Sequence, residues 1–250
     1  MADEPRLEEQ ALSEVAQMTI STQLDEVENI DVDIRTNLLS MVQGQVDSVS
    51  IVGQGLVMQK DIRVQEMELR TDSIAINPLS AIFGQIELNQ PVGATARLVL
   101  TEQDINRAIN SDYIRSKFST VDLTVEGQIV TVESQHLEVC LSASGTMAVS
   151  GTVLLHEMGN TRPLGFTAAI APRTLSQPFL LKAFNCTNGE GVSLELAIAF
   201  LKKAGELLNL PFIELDGMAL RIKELEVQEG SLTVLSEAYV RQLPDFNSEG

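Results

Sequence analysis

Residues 49–69 read Val-Ser-Ile-Val-Gly-Gln-Gly-Leu-Val-Met-Gln-Lys-Asp-Ile-Arg-Val-Gln-Glu-Met-Glu-Leu. Gly53 and Gly55 interrupt the first apolar run, Val49–Met58, and a glycine inside a strand marks a bend or a close backbone approach. In the second run Ile62 and Val64 lie on one parity, Met67 and Leu69 on the other. That switch predicts a bulge near Gln65 and Glu66, which would bend the strand and increase its twist. Long strands with such bends belong to a strongly curved sheet, not a flat one.

The alternation of apolar and polar residues recurs on both sides of this stretch. Ile30, Val32 and Ile34 alternate with Asp31, Asp33 and Arg35, and similar runs cover Val92–Leu100, Val121–Val125, Leu137–Leu141 and Met218–Ile222. Each reads as a strand with one apolar and one wet face. Met218–Val227 and Ser231–Val240 flank Glu229-Gly230 and read as a hairpin. Helical spacing appears at residues 6–28, and after Thr101, which stands three residues before Asp104 in a capping-box-like start. A third helix, about Val192 to Leu208, is apolar around most of its circumference and is expected to be covered on more than one side. The expected organisation is an acidic amphipathic helix over 1–28, one sheet-and-helix domain over 29–243, and a tail over 244–250.

Composition excludes several classes. Of 250 residues, 35 are acidic and 17 basic, a net charge of -18, and such a surface repels phosphate backbones, so nucleic acid is not an expected partner. Residues 1–33 alone hold ten acids and one base. Two cysteines, Cys140 and Cys186, cannot form a disulfide framework and read as ordinary thiols. The start, Met-Ala-Asp-Glu-Pro-Arg, lacks the basic and apolar regions of a secretory signal. The longest apolar run, Leu196–Leu201, is far short of the ~20 residues of a spanning helix. The expectation is a cytoplasmic protein that touches the cytoplasmic face of a membrane at most peripherally.

Catalytic constellations are missing from the pattern. His156-Glu157 begins like a zinc-protease helix, but Asn160 stands where the second imidazole is needed. There is no Gly-x-Ser-x-Gly elbow, and neither Gly53-Gln54-Gly55 nor Gly189-Glu190-Gly191 has the third glycine of a dinucleotide loop. No catalytic residue, metal ligand or cofactor is assigned.

The stronger signal is apolar. Met158–Gly189 contains no Asp or Glu, carries Arg162, Arg173 and Lys182, and holds Phe166, Phe179, Leu180 and Phe184. Pro163, Pro172 and Pro178 divide it into what reads as loops and short extended pieces, with apolar tips and flanking cations suited to an anionic interface. A buried strand pair with ordinary turns would give the same composition. Asn77–Gly84, with Leu79, Ile82 and Phe83, is too apolar for an ordinary turn, and Leu38–Val42, with Leu39, Met41 and Val42, is a further apolar segment; a core-capping loop would read the same way, but together they favour a lipid-facing rim. With Ile198, Phe200 and Leu201 of the third helix, these side chains are the candidate lipid contacts. Arg97, Arg107, Arg115, Lys117, Arg173 and Lys182 are the candidate head-group or membrane contacts.

The segment Leu98-Val99-Leu100-Thr101-Glu102-Gln103-Asp104-Ile105-Asn106 resembles the strand followed by a "T-E-x-D-L-N" helix start of the LmeA-like phospholipid-binding family. Val46–Met58, Ile62–Leu69, Ile74–Pro78 and the closing hairpin are similar to the same family. The resemblance covers roughly residues 10–240. It implies an α+β fold of the BPI-like, or TULIP, type, in which a long curved antiparallel sheet wraps around helices as a half-barrel and leaves an elongated apolar cavity for acyl chains.

The expected function is non-enzymatic binding, and transfer, of phospholipid or another acyl-chain lipid, with transient membrane docking. Two alternatives stand beside it. One is a scaffold that pairs its sheet edges or its acidic helix with a protein partner; the other is a lipid hydrolase without a recognisable motif.

Overall fold

The computed structural model describes residues 7–37, 39–40, 43–75, 88–188, 193–209, 213–215 and 218–241. Helix α1 spans Leu7–Gln23. Strands β1 (Asn29–Arg35), β2 (Gln45–Val46), β3 (Ser48–Met58), β4 (Ile62–Thr71), β5 (Ile74–Ala75) and β6 (Val92–Thr101) follow. Helices α2 (Glu102–Ile109) and α3 (Asp112–Phe118) lead into β7 (Thr120–Val125), β8 (Gln128–Leu141), β9 (Met147–Glu157), β10 (Asn160–Ala171) and β11 (Leu180–Asn188). Helix α4 (Leu194–Leu208) and strands β12 (Ile213–Leu215), β13 (Met218–Gln228) and β14 (Ser231–Val240) complete the chain.

The architecture is α+β with antiparallel pairing throughout, but the one long sheet expected from the sequence is in fact two. Seven strands run in the order β1-β3-β4-β6-β14-β13-β12, and five in the order β11-β10-β9-β8-β7, while β2 and β5 form a small pair. Both larger sheets are open. The first helix ends at Gln23, not near residue 28. Asp25 and Glu26 instead run extended beside β3, where the Asp25 N–H donates to the Val57 carbonyl and the Val57 N–H to the Glu26 carbonyl.

Strand register explains the alternation. In the seven-stranded sheet Ile30, Gly53, Met67, Leu98, Val234 and Leu225 form one row, and Val32, Ile51, Leu69, Ala96, Ser236 and Ile222 the next. Between them runs a mainly polar row on the other face, with Asp31, Glu68, Arg97 and Glu224. One face is therefore apolar along its length. The parity switch in β4 is real, because Val64 is buried although it shares the parity of Glu66. Its cause is not a bulge: β3 and β4 keep a single register from Val49↔Thr71 to Met58↔Ile62, and only the Gly55–Gln65 pair is missing. Gly55 sits at φ +59, where L side chains are strained, and a Cβ there would strike the Glu28 carboxyl. Both strands turn over together, so no residue is inserted. True bulges occur elsewhere, at Gln135 in β8 and Lys223 in β13.

The segment read as proline-broken loops is mostly a strand pair, β10–β11. Pro163 fits inside β10 because β11 pairs only from Gly165 onward, so the missing N–H falls where no neighbouring strand needs it.

The two sheets are tied together by α2. Strand β7 pairs with β8 only as far as Thr120↔Glu133, which leaves one edge of the second half of β8 without a strand partner. Helix α2 takes the strand's place with side chains at i, i+4 and i+8. Glu102 Oε2 accepts the Leu141 N–H at 2.7 Å. Asn106 accepts the Val139 N–H at 2.7 Å and donates to its carbonyl at 2.8 Å. Asn110 does the same for Leu137 at 3.1 and 2.7 Å. The helix itself is fixed to the other sheet: its N-cap Thr101 ends β6, and buried Asp104 is bonded by the Thr101 hydroxyl at 2.6 Å and by Arg63 of β4 at 3.3 Å. Helix α1 uses the same device on the edge of β1, where Ser13 and Glu9 accept the N–H groups of Ile34 and Thr36. Replacing Asn106 with Ala would strand both backbone groups of Val139. We expect urea unfolding to show a loss of about 1–3 kcal/mol; an unchanged midpoint would mean the linkage is idle.

Candidate functional site

Helix α4 starts at Ser193, whose hydroxyl accepts the Leu196 N–H at 3.1 Å. It lies against the apolar face of the five-stranded sheet. Leu196, Ala199, Phe200 and Lys203 follow helical spacing on the covered side. Beneath them Leu123, Val130, Val132, Val153, Leu155, Leu164 and Phe166 are buried. Phe166, Phe184 and Phe200 form an aromatic triangle with centroids 4.9–6.0 Å apart. Gly151 lets β9 pass close to β8 beside its bulge, since a Cβ there would strike the His136 carbonyl.

The packing is not complete. A cavity of about 200 Å³ remains between α4 and the sheet, walled by Val121, Leu123, Val132, Leu137, Val153, Phe166 and Phe200. Its polar lining residues are Ser119, Ser134 and Lys203, all three partly exposed to solvent. Next to it a second apolar cluster joins the two sheets: Leu141, Met147 and Ile170 from one, Leu225, Val227 and Leu232 from the other. Val149 and Leu181 pack against both clusters. Beyond the second cluster the apolar face of the seven-stranded sheet continues through Met67, Leu69, Leu98 and Ile51, all of them only half-buried.

The residues singled out from the sequence fall in several places. Phe166, Phe184 and Phe200 meet beneath α4. Phe179 packs on the cluster that joins the sheets. Leu180, Ile198 and Leu201 are exposed, and with Leu194 the last two make a second apolar stripe on α4 that no described residue buries. Leu39 is exposed and distant in sequence from these elements, while Met41, Val42, Leu79, Ile82 and Phe83 lie outside the described residues. The cations are not gathered at one point. Arg97 stands on the polar face of the seven-stranded sheet, 3.6 and 3.9 Å from Glu66 and Glu68. Arg107, Arg115 and Lys117 are exposed on α2 and α3, Arg173 is half-buried before β11, and Lys182 is exposed at a register shift of β11.

Sequence reasoning missed the wall residues Val121, Leu123, Val132 and Val153 as site members. Their alternation marked them as strand interiors, but which helix covers them is a non-local fact. Lys203 was not among the candidate contacts either.

The titratable groups of the described residues that make close contacts lie away from this interior. The imidazole–carboxylate pair His156–Glu133, 2.8 Å apart, lies on the opposite, solvent-facing side of the five-stranded sheet, with Thr161 2.9 Å from the other ring nitrogen. Its hydrogen bond, followed by one from Gln135, holds the Glu133 carboxyl below the usual carboxylate range. Cys140 and Cys186 are exposed and unpaired, and Glu102 pushes the Cys140 thiol above its ordinary value, away from thiolate reactivity. Among the described residues no three His, Cys, Asp or Glu side chains cluster closely enough to hold a metal ion. No helix among them is long and apolar enough to cross a membrane.

The fold is thus two open antiparallel sheets joined through an apolar interior. The chain belongs to the LmeA-like phospholipid-binding family, whose model matches residues 4–237. No curated protein matches the chain.

Proposed function

We propose that the chain binds phospholipid, or another acyl-chain lipid, without chemical conversion, and carries it to or from a membrane on which it docks transiently from the cytoplasmic side. The observation that carries this reading is the unfilled apolar space under α4, adjoining the apolar cluster between the sheets. An apolar cavity of ~150 Å³ stays dry and holds a benzene ring. The one here, at about 200 Å³, has room for a segment of one acyl chain rather than two whole chains. Half a dozen methylenes buried there would contribute about 5 kcal/mol at ~0.8 kcal/mol each. The half-buried apolar face through Met67, Leu69 and Leu98 supplies further lining for the rest of a lipid.

Docking is supported by surface chemistry. Leu194, Ile198 and Leu201 on α4 are 69, 55 and 38 % exposed, and Leu175 and Leu180 before and within β11 are 73 and 60 % exposed. Arg173, Lys182 and Lys202 lie among these positions in the sequence, in a stretch poor in acids although the whole chain carries -18. Apolar side chains with interspersed cations suit an anionic lipid surface.

Organic extraction of the purified protein followed by mass spectrometry should recover lipid in near-stoichiometric amount. A lipid-free protein with the same fold would favour the scaffold reading instead. The double variant I198D/L201D should lose flotation with vesicles containing phosphatidylserine while keeping its circular dichroism spectrum; undiminished flotation would remove α4 from the docking surface.

A further inference from the structure

We propose that the mouth of the α4 cavity is a head-group site, in which Lys203, Ser119 and Ser134 hold the anionic end of an amphiphile whose single alkyl chain enters the apolar space behind them. This rests on the lipid-binding reading and adds to it a ligand class and the residues that select it.

Three observations carry the assignment. First, the cavity is amphipathic. Seven of its wall side chains are apolar, and its polar members, Ser119, Ser134 and Lys203, are few. That is the layout of a site that buries a chain and leaves one end to be recognised. Second, these polar side chains have no partner among the described residues. Lys203 is half-buried, its stem follows Phe200 on the covered stripe of α4, and its ammonium makes no ion pair or hydrogen bond among the described residues, although Glu206 follows one turn later. The hydroxyls of Ser119 and Ser134 are likewise without partners there. The two serines are held side by side by the Ser134 N–H, which donates to the Ser119 carbonyl at 2.8 Å. Third, cations precede the mouth along the chain. Arg115 and Lys117 occupy the last turn of α3, and the helix ends at Ser119. A helix C-terminus favours neighbouring cations, which suits Arg115 and Lys117 to this turn.

An ammonium and two hydroxyls are donors suited to a phosphate ester or a carboxylate, the chemistry shared by a lipid head group and a fatty acid. A neutral alcohol would gain the chain's burial but not the charge-assisted bonds.

The test uses three probes of equal chain length, dodecyl phosphate, dodecanoate and dodecanol, titrated by calorimetry into the full chain and the variants K203Q, K203R and S134A. The site predicts that wild type prefers one or both anionic probes over dodecanol by about tenfold or more. K203Q should lose that preference while binding dodecanol as wild type does, which shows that its cavity is intact. K203R should keep most of the preference, and S134A should lose part of it. Anionic probes that bind K203Q as tightly as wild type would overturn the head-group assignment and leave lipid binding standing. Failure of all three probes on wild type would overturn both. Displacement of dodecyl phosphate by millimolar inorganic phosphate alone would overturn it in favour of a free-anion site, since the chain would then be dispensable.

Discussion

A buried strand edge must find hydrogen-bond partners, and in this protein the edge that decides the architecture is the second half of β8. Its neighbour β7 is too short to cover it, so Leu137, Val139 and Leu141 present backbone groups that Asn110, Asn106 and Glu102 satisfy from α2. An unpaired buried backbone group costs about as much as a lost hydrogen bond, so this ladder is not interchangeable with loose packing. The other side of the same helix region is bound to β4 and β6 through Asp104, Arg63 and Thr101. One helix of eight residues thus fixes how the two sheets meet.

The position of the interior follows from that junction. Once the sheets are joined beside α2, Leu141, Met147 and Ile170 face Leu225, Val227 and Leu232, and the two apolar faces become one interior. At one end α4 covers part of the five-stranded sheet with Leu196 and Phe200 but does not fill it, which leaves the cavity. At the other end the seven-stranded sheet keeps a half-buried apolar face. These gaps forgo dispersion energy that a fully interdigitated core would gain.

Much of this was legible in the amino-acid pattern, and the failures have physical causes. Strand parity follows from side-chain alternation, so Ile30–Ile34, Val92–Leu100 and the last hairpin could be read locally. The Thr101 cap was legible for the same reason. The division into two sheets was not, because β6 pairs with β14 across more than a hundred residues and no local signal records it. The turn-over at Gly55 and Gln65 looks like a bulge in sequence, since a parity switch in one strand cannot reveal that its partner switches with it. The roles of Glu102, Asn106 and Asn110 were not legible, because they depend on β8 lying beside α2. Lys203 gave no signal as a rim residue, because an exposed lysine and a half-buried one have the same spelling.

The central claim is that the acyl chain occupies the interior shared by α4 and the two sheets. The most direct measurement is cross-linking with a phospholipid carrying a photoreactive diazirine near the end of one acyl chain, followed by peptide mass spectrometry. The account predicts adducts on the inward-facing residues, Val121, Val153, Phe200 and neighbours such as Met67 and Leu98, and none on the outward Ile129 or Val52. Adducts confined to outward residues, or spread evenly over both faces, would contradict it.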